Sequence, residues 1–315
     1  MNNLENRKVS FVIACYNSEK SLKSVVDELI DTLEKLELTY ELILVNDGSK
    51  DGTIKIIKNL CKSNFNIKAL NLSRNFGQQN AMLAAFNFAT GDLVAYCDDD
   101  GQCPVEEFHR FLTKIDEGYD MVWAKYPDEK RSFLNSVGAN INNRMLKYLF
   151  NKPLELSFGN LWLANCFIIK EAIKCKNPHL YLGGVYLTIT SNMTNVICKK
   201  RNRYSGNSNY SLIKLIIVWL NGMTAFSIAP LRIASFAGGL LASFSMLFMI
   251  YIIIYKLING NITVGYSSIM TVILFMGGIL MFMIGLVGEY IGRIYQNINS
   301  LPQFVVKEKI NLDND

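Results

Sequence analysis

The sequence predicts an α/β domain with a mainly parallel sheet, followed by two membrane-spanning helices. The first 125 residues alternate short β-branched runs with amphipathic helical runs, and parallel strands need such crossovers. Residues 233–255 and 266–288 are two 23-residue runs without a charged side chain. Each rises about 34 Å as a helix, enough for a hydrocarbon core of roughly 30 Å. Two buried core helices are the alternative.

Each element of the first part has its own signal. The strand-like runs are VSFVIAC, YELILVN, IKALNLS, DLVAYC and YDMVWAK. The helical runs between them are SLKSVVDELIDTLEKL, DGTIKIIKNLCK, QQNAMLAAFNFA and PVEEFHRFLTKI. Beyond residue 130 the pattern predicts a helix near SVGANINNRMLKYLF and strands near NCFIIK and NVICKK. Ligands of such folds bind at the carboxyl ends of the strands.

Charge patterning predicts how the chain meets a membrane. The N-terminal residues lack the features of a secretory signal. The loop between the apolar runs carries only Lys256, whereas basic residues flank the pair on both sides, so we expect both ends in the cytoplasm. The predicted domains are a cytoplasmic α/β domain (1–210), interfacial amphipathic helices (211–230), two spans (231–290) and a cytoplasmic tail (291–315). The seven cysteines, an odd number without a C-x-x-C pair, indicate reduced thiols.

Asp47 follows the apolar run LILV and begins NDGSKDGT. A strand-to-helix turn explains this stretch, because Gly48 lets the chain reverse and Ser49 or Asp51 can cap the next helix. A carboxylate at the end of a strand can also accept a hydrogen bond from a nucleotide base. The residues alone leave both interpretations open.

Three consecutive carboxylates, Asp98, Asp99 and Asp100, follow the apolar run LVAYC. Pro104 explains how the next helix starts but not why three acids precede it. If the strand continues, Asp98 and Asp100 project on one side, where they can hold one divalent cation. Carboxylates about 4 Å apart otherwise repel by several kcal/mol. Oxygen donors suit Mg²⁺ or Mn²⁺, and a solvated acidic turn is the alternative.

The basic run KKRNRYSGNSNY, residues 199–210, precedes the interfacial segment. Loose binding to anionic lipid accounts for its charge. Arg203, Ser208 and Tyr210 add a forked donor and two hydroxyls, which suit phosphate binding. The run lacks the aromatic residues of a nucleic-acid groove, and the chain contains neither a P-loop, a dinucleotide fingerprint nor a G-x-S-x-G motif.

These motifs together resemble the polyprenyl-phosphate glycosyltransferases of family 2, which have the GT-A (Rossmann-like) fold. That group includes dolichyl-phosphate mannose synthases and bacterial undecaprenyl-phosphate sugar transferases. The similarity covers nearly the whole chain through ACYNSE, LVNDGSKDGT, LSRNFGQQNAMLAAFNFATGD, DDDGQCPVEE, RYSGNSNYSLIKL, TAFSIAPLRI and GEYIGRIY. The first four motifs mark family 2 broadly, and the last three mark its lipid-phosphate branch.

The resemblance implies roles for particular residues. It implies that the nucleotide sugar contacts Ala14, Tyr16, Asn17, Asp47, Asp98, Asp99 and Asp100. It implies that Asp98 and Asp100 are the D-x-D pair that holds Mg²⁺ or Mn²⁺, and that Gln102 is the third catalytic residue. The acceptor phosphate is then expected to contact Gln102, Lys125, Arg131, Arg203, Ser208 and Tyr210.

The chain departs from the family pattern at several positions. Ala14 replaces a usual proline, and Gly101 and Cys103 interrupt the usual D-x-D-L-Q-D. The terminal R-P-x-Y becomes the sequence at 301–304, LPQF. Because Cys103 removes a carboxylate, a reaction scheme that needs a base at this position is not supported.

We therefore expect that the protein transfers a sugar, with inversion, from a nucleotide-diphosphate sugar to polyprenyl phosphate in a bacterial plasma membrane. The nucleotide of the donor is expected to be a uridine nucleotide. The product would be a membrane-bound sugar donor for cell-surface glycans. One alternative is a lipid-linked oligosaccharide or polymer as acceptor, and another is a catalytically silent subunit that anchors a partner. Gly288 and Gly292 form G-x-x-x-G, which predicts a homo-oligomer.

Overall fold

The chain divides into two compact units. The structure, a computed structural model, describes residues 7–127, 147, 153, 155–177, 181–199, 201, 229–259, 265–299 and 302–312. One unit comprises Met1–Trp219 together with Pro302–Asp315, and the other comprises Leu220–Leu301. The domain boundaries expected at residues 210, 230 and 290 stay predictions.

The first unit is an α/β fold around one eight-stranded sheet. Its strands are β1 (Lys8–Cys15), β2 (Thr39–Asn46), β3 (Ile67–Leu72), β4 (Leu93–Cys97), β5 (Met121–Lys125), β6 (Leu161–Asn165), β7 (Met193–Ile197) and β8 (Val306–Ile310). The helices described are α1 (Leu22–Lys35), α2 (Thr53–Ser63), α3 (Gln78–Phe86), α4 (Phe108–Asp116), α5 (Cys166–Ala172) and α6 (Leu182–Ile189), and a 3₁₀ turn (Val105–Glu107) precedes α4.

The order of strands across the sheet is β7-β5-β6-β4-β1-β2-β3-β8. Strands β1 to β4 form the parallel part, because β1 pairs in parallel with β2 and β4, and β2 pairs in parallel with β3. Strands β6 and β8 are antiparallel to their neighbours, whereas β5 and β7 are parallel to each other. The carboxyl ends of β1 to β4 therefore meet at one edge, and the α/β class predicted from the alternating runs is confirmed.

Two buried layers cover the faces of the sheet. On one face, Phe11 of β1 packs against Phe108 of α4 with ring centroids 5.0 Å apart. On the other face, Tyr96, Trp162 and Trp123 are register partners on β4, β6 and β5, and their rings pack 5.7–5.9 Å apart. Large aromatic side chains bury much apolar area, so this row fixes the end of β4 just before the acidic turn.

The strand predicted near NCFIIK is wrong. Strand β6 ends at Asn165, and the helix α5 begins at Cys166. Ile168, Ile169 and Ala172 are buried at helical spacing, whereas Phe167 is 45% exposed. A short apolar run does not distinguish a strand from a buried helix by its periodicity. The strand predicted near NVICKK is confirmed as β7.

Strand β8 returns the end of the chain to the sheet. It pairs antiparallel with β3, and the Ser73 amide donates to the Val305 carbonyl at 2.9 Å. Asn311 Nδ2 donates to the carbonyl oxygens of Cys61 and Ile67 at 2.7 and 2.8 Å. The residues after the second unit are therefore part of the same fold as those before it.

The second unit contains two long helices, α7 (Ala229–Asn259) and α8 (Tyr266–Ile298). Among the described residues, one stretch, Phe275–Gly292, is long and apolar enough to cross a membrane, and α7 contains a shorter apolar stretch, Ala234–Phe248. Large apolar side chains on both helices are exposed, as lipid-facing residues would be. A first span within α7 stays a prediction.

Candidate active site

The candidate site lies at the edge where the parallel strands β1 to β4 end. The turns 16–19 after β1, 47–52 after β2 and 98–102 after β4 carry residues singled out from the sequence, and the turn 73–77 after β3 lies at the same edge. Parallel sheets of this type bind ligands at this edge. The fold thus brings Tyr16, Asn17, Asp47 and the three acids to one place, with Ala14 inside β1 beside Val45.

The three acids form a turn and not an extension of the strand. Strand β4 ends at Cys97, and Gly101 has φ of 78°, a conformation that glycine adopts without strain. The alternation that would align Asp98 with Asp100 therefore does not apply. The turn is held differently, since the Gln102 amide donates to Asp100 Oδ1 at 3.0 Å.

Asp98 is held by two side chains from the aromatic row and from α3. Its Oδ1 accepts hydrogen bonds from the Tyr96 hydroxyl at 2.7 Å and from Gln78 Nε2 at 2.8 Å. Burial raises the pKa of Asp98 to about 6, the Tyr96 hydrogen bond opposes this, and the charges of Asp100 and Asp99 raise it further. A cation at this turn would relieve both the burial cost and the repulsion.

Asp99 connects the acidic turn to the turn after β1. Its Oδ2 accepts from the Tyr16 amide at 3.2 Å, and its carbonyl accepts from Ser21 Oγ at 2.7 Å. Burial raises the pKa of Asp99, while hydrogen bonds from Ser18 and Tyr16 oppose that rise. Asp99 therefore ties the acidic turn to the turn after β1, and the pairing of Asp98 with Asp100 on one cation stays a prediction.

The donor set fits Mg²⁺ or Mn²⁺ bound together with a diphosphate. The described part of the chain holds no group of three His, Cys, Asp or Glu side chains arranged for a metal ion. Mg²⁺ commonly takes one or two protein carboxylates, with phosphate oxygens and water completing the shell. Two carboxylates on one turn match that requirement, and they do not match a closed protein-only site.

Asp47 supports the turn after β3. It is 2% exposed, and its two oxygens accept from the amides of Phe76 and Gly77 at 2.7 and 2.9 Å. Burial raises its pKa, and these two hydrogen bonds lower it. Gly48 has φ of 64°, and a Cβ there would lie 2.5 Å from the main chain of Arg74. Each Asp47 oxygen keeps a second lone pair, so contact with a base stays a prediction.

The turn after β1 presents Tyr16 and Asn17 beside Asp47. Tyr16 is 43% exposed, and Asn17 has φ of 54°. The Asn17 amide donates to Ser49 Oγ at 3.0 Å, and its Oδ1 accepts from the Lys50 amide at 2.9 Å. These bonds fix the two turns against each other and leave the Tyr16 ring accessible.

Cys103 is a buried, neutral residue of the turn. It is 3% exposed, its Sγ accepts from the Asp98 amide at 3.4 Å, and it donates to the Asn160 carbonyl at 3.3 Å. Burial raises the pKa of its thiol well above the usual value. Asn160 in turn accepts from the Tyr126 hydroxyl at 2.6 Å. The position departing from the family pattern thus supports the acidic turn through a thiol that burial keeps neutral.

Two of the residues predicted to bind the acceptor, Gln102 and Lys125, are among the described residues. Gln102 Nε2 donates to the carbonyl of Arg201 at 3.4 Å. Lys125 ends β5 and donates from Nζ to the Glu155 carbonyl at 3.0 Å. Four others lie outside the described residues: Arg131, Arg203, Ser208 and Tyr210.

Comparison with known proteins assigns the chain to a family. The family model Glycosyl transferase family 2 matches residues 10–175. This range includes the turns after β1, β2 and β3 and the acidic turn after β4. The chain belongs to glycosyltransferase family 2. The family GtrB C-terminal hairpin matches residues 229–294. This glycosyltransferase therefore combines a family 2 domain with a second module that covers both long helices.

Two relatives match this glycosyltransferase over almost their whole length. The bactoprenol glucosyl transferase of Shigella phage SfX is 31% identical over 303 residues, which cover 96% of this chain and 99% of that protein. The undecaprenyl-phosphate 4-deoxy-4-formamido-L-arabinose transferase of Proteus mirabilis is 31% identical over 307 residues, 96% of this chain and 94% of that protein.

A solved structure shows the fold of the glycosyltransferase. Mannosyl-3-phosphoglycerate synthase from Rubrobacter xylanophilus aligns with a TM-score of 0.51 at 18% identity, over 68% of this chain and 71% of that chain. The family 2 domain therefore has the GT-A, Rossmann-like fold.

Three residues of the glycosyltransferase site were not singled out from the sequence: Gln78, Asn160 and Arg201. Gln78 had a weak signal, since it begins a helix just after β3 ends. Asn160 had none, and the only signal for Arg201 was its place in the basic run 199–210, because both residues reach the acidic turn only through the antiparallel strand β6 and the chain after β7.

Proposed function

We propose that this glycosyltransferase transfers a sugar, with inversion, from a nucleotide-diphosphate sugar to polyprenyl phosphate. The observation that carries the proposal is the hydrogen-bonded junction between the acidic turn and Arg201, where the basic run 199–210 begins. The acidic turn suits the diphosphate of a donor, and the basic run suits the phosphate of an acceptor. The relatives named for bactoprenol and undecaprenyl phosphate support the same acceptor class.

On the donor side, Asp98 and Asp100 would hold Mg²⁺ or Mn²⁺. When bound, the cation supplies charge neutralisation for the leaving diphosphate. Tyr96 and Gln78 keep the Asp98 carboxylate in place, and Asp99 keeps the turn in place. The neighbouring turns carry Tyr16, Asn17 and Asp47. We place the nucleotide of the donor, a uridine nucleotide, at these turns.

On the acceptor side, the nucleophile needs no strong base. A polyprenyl phosphate oxygen is already anionic at neutral pH, so it can attack the sugar carbon directly while the nucleoside diphosphate leaves from the opposite face. A single displacement of this kind inverts the configuration. The neutral Cys103 thiol is compatible with such a reaction, because positioning and charge neutralisation provide most of the rate.

The second unit supports a proposal for how the chain is placed in the membrane. We propose that α7 and α8 both cross the bilayer, with the family 2 domain and both chain ends in the cytoplasm. The GtrB C-terminal hairpin match over 229–294 supports a pair of helices, and the return of β8 to the sheet supports an even number of crossings. A homo-oligomer built on Gly288 and Gly292 belongs to this proposal as well.

The decisive experiment offers the purified enzyme in nanodiscs a panel of radiolabelled nucleotide sugars with polyprenyl phosphate and Mn²⁺. We expect one label to enter the lipid phase and mild acid to release it as a single sugar. Release of an oligosaccharide would instead favour a lipid-linked or polymeric acceptor. Labelling without added polyprenyl phosphate would contradict the proposed acceptor.

Replacing Asp100 by Asn tests the metal role in the same assay. The variant keeps the shape of the turn but removes a charged ligand, so we expect less than about a tenth of the wild-type rate, more than about 1.4 kcal/mol of barrier. Asp116→Asn is the matched control, since Asp116 is an ion-pair partner of Arg7 at the end of α4. Transfer that persists in EDTA would rule out the metal.

A further inference from the structure

Arg201 joins the basic run to the acidic turn through its main chain. The Arg201 amide donates to the Gln102 carbonyl at 3.5 Å, and Gln102 Nε2 donates to the Arg201 carbonyl at 3.4 Å. These are long hydrogen bonds and individually weak. A further contribution is therefore needed to hold the acidic turn and the chain at Arg201 together.

The Arg201 side chain makes that contribution. Its Nη2 and Nε contact the two oxygens of Glu106 at 2.5 and 3.2 Å, and its Nη1 pairs with Glu28. Glu28 lies on α1 and Glu106 on the 3₁₀ turn after the acidic turn. The side chains of Arg201 and Glu28 are 29% and 27% exposed, whereas that of Glu106 is 52% exposed, so solvent screens the pair with Glu28 less than the pair with Glu106. A planar guanidinium that binds one carboxylate through two nitrogens also fixes the orientation of the pair.

We propose that Arg201 is a positioning residue for the acceptor, which holds the start of the phosphate-binding segment against the acidic turn. The inference rests on the proposed function, because the acceptor phosphate is assigned to Arg203, Ser208 and Tyr210. Arg201 is two residues before Arg203 in the sequence, so fixing Arg201 beside Gln102 anchors the start of the segment that carries the predicted acceptor residues.

The fold itself does not depend on this contact. Leu29 of α1, Val105 of the 3₁₀ turn and Phe108 of α4 are 0–3% exposed, so apolar packing keeps these elements together without Arg201. A residue that only stabilised the fold would change the unfolding temperature and affect both substrates alike. A positioning residue should affect the acceptor selectively.

The test compares Arg201→Gln with Arg110→Gln in the proposed transfer assay. Arg110 is a close match, because its guanidinium pairs with Glu107 of the same 3₁₀ turn and donates to the Ile197 carbonyl at 2.8 Å. We expect Arg201→Gln to raise the KM for polyprenyl phosphate at least about tenfold while the Kd of the nucleotide sugar changes less than about twofold. Arg110→Gln should change neither quantity.

Arg201→Lys separates charge from direction, and we expect it to behave like Arg201→Gln because an ammonium cannot reproduce the fork. An unchanged acceptor KM in Arg201→Gln, or a parallel loss of donor affinity, would overturn the inference. So would equal effects of Arg201→Gln and Arg110→Gln.

Hydrogen–deuterium exchange provides a second readout that needs no turnover. Peptides covering 100–104 and 199–203 should exchange faster in Arg201→Gln than in the wild type and in Arg110→Gln. Exchange that does not change would refute the anchoring of the segment even if the enzyme is active. If the wild type makes no polyprenyl product, the proposed function fails, and the exchange result still decides whether Arg201 holds the junction.

Discussion

Asp98 is a carboxylate whose surroundings favour its protonated form. Burial raises its pKa to about 6, and the neighbouring acids add to the rise. The folded protein then binds a proton more tightly at Asp98 than the unfolded chain does, so its stability is greatest below the unfolded pKa and is lost as pH rises through about 6. The site thus costs stability at neutral pH, a cost that a bound cation would offset.

We expect Asp98→Asn to stabilise the metal-free protein at pH 7.5 by roughly 1–3 kcal/mol, because Asn removes the buried charge. Below about pH 3 Asp98 is protonated in both the folded and the unfolded wild type, so the gain should disappear. Denaturant unfolding in EDTA, followed by tryptophan fluorescence at both pH values, measures the difference.

Asp51→Asn is the control for Asp98→Asn, because it should change the free energy of unfolding in the opposite direction. Hydrogen bonds from Thr53 lower the pKa of Asp51 despite its partial burial, so the charged form is favoured in the fold and Asn should destabilise it at pH 7.5. A destabilised Asp98→Asn protein would mean that the carboxylate is already compensated by groups within the turn.

The residues that carry charge were predictable, whereas their partners were not. Asp98 and Asp100 stand out because three adjacent acids have no role in starting a helix. Gln78 is 20 residues before Asp98, and Arg201 is 99 residues after Gln102. No local pattern encodes such pairs, since they exist only once the strands are side by side. The strand alternation expected at Asp98 and Asp100 failed because β4 ends at Cys97.

At the level of elements, Glu41 connects three strands near their amino ends. It lies on β2, is 1% exposed, and accepts from Lys68 of β3 at 2.7 Å and from Lys8 and Ser10 of β1 at 3.1 and 2.5 Å. The Thr90 amide before β4 donates to it at 2.7 Å. Burial alone would raise the pKa of Glu41, but these partners outweigh it and lower the pKa to about 2.

We expect Glu41→Gln to destabilise the protein at pH 7 by about 2–4 kcal/mol, because it leaves two lysines without their buried partner. The contribution of Glu41 is present above its unfolded pKa of about 4.5 and is lost as pH falls through about 2. Unfolding curves at pH 7 and at low pH test this. Glu308→Gln, which breaks an exposed pair with Lys58, should cost less than about 1 kcal/mol.

The predictable elements are those with strong local periodicity. Strands β1 to β5 and helices α1 to α4 follow the alternation of runs, because each buries one face or both against its neighbours. Helix α5 was mistaken for a strand, and β8 was not foreseen. The run VKEKI of β8 carries three charges in five residues, and its pairing with β3 joins segments more than 230 residues apart.

At the level of the whole molecule, β8 constrains the path of the chain. The sheet contains residues from both sides of the helical unit, so both sides lie in the same compartment. A chain that leaves a membrane face and returns to it crosses an even number of times. If Phe275–Gly292 in α8 crosses once, a second crossing is required between residues 202 and 274, and α7 is the long apolar helix described in that interval.

Two single-cysteine additions test this topology. Asn261→Cys lies between the helices, and Lys307→Cys lies on the exposed side of β8. In intact spheroplasts we expect a membrane-impermeant maleimide to label Asn261→Cys, while Lys307→Cys is labelled only after permeabilisation. The wild type is the control, because five of its seven cysteines are buried. Equal labelling of the two variants before permeabilisation would contradict the double crossing, since the sheet and the loop would then share one compartment.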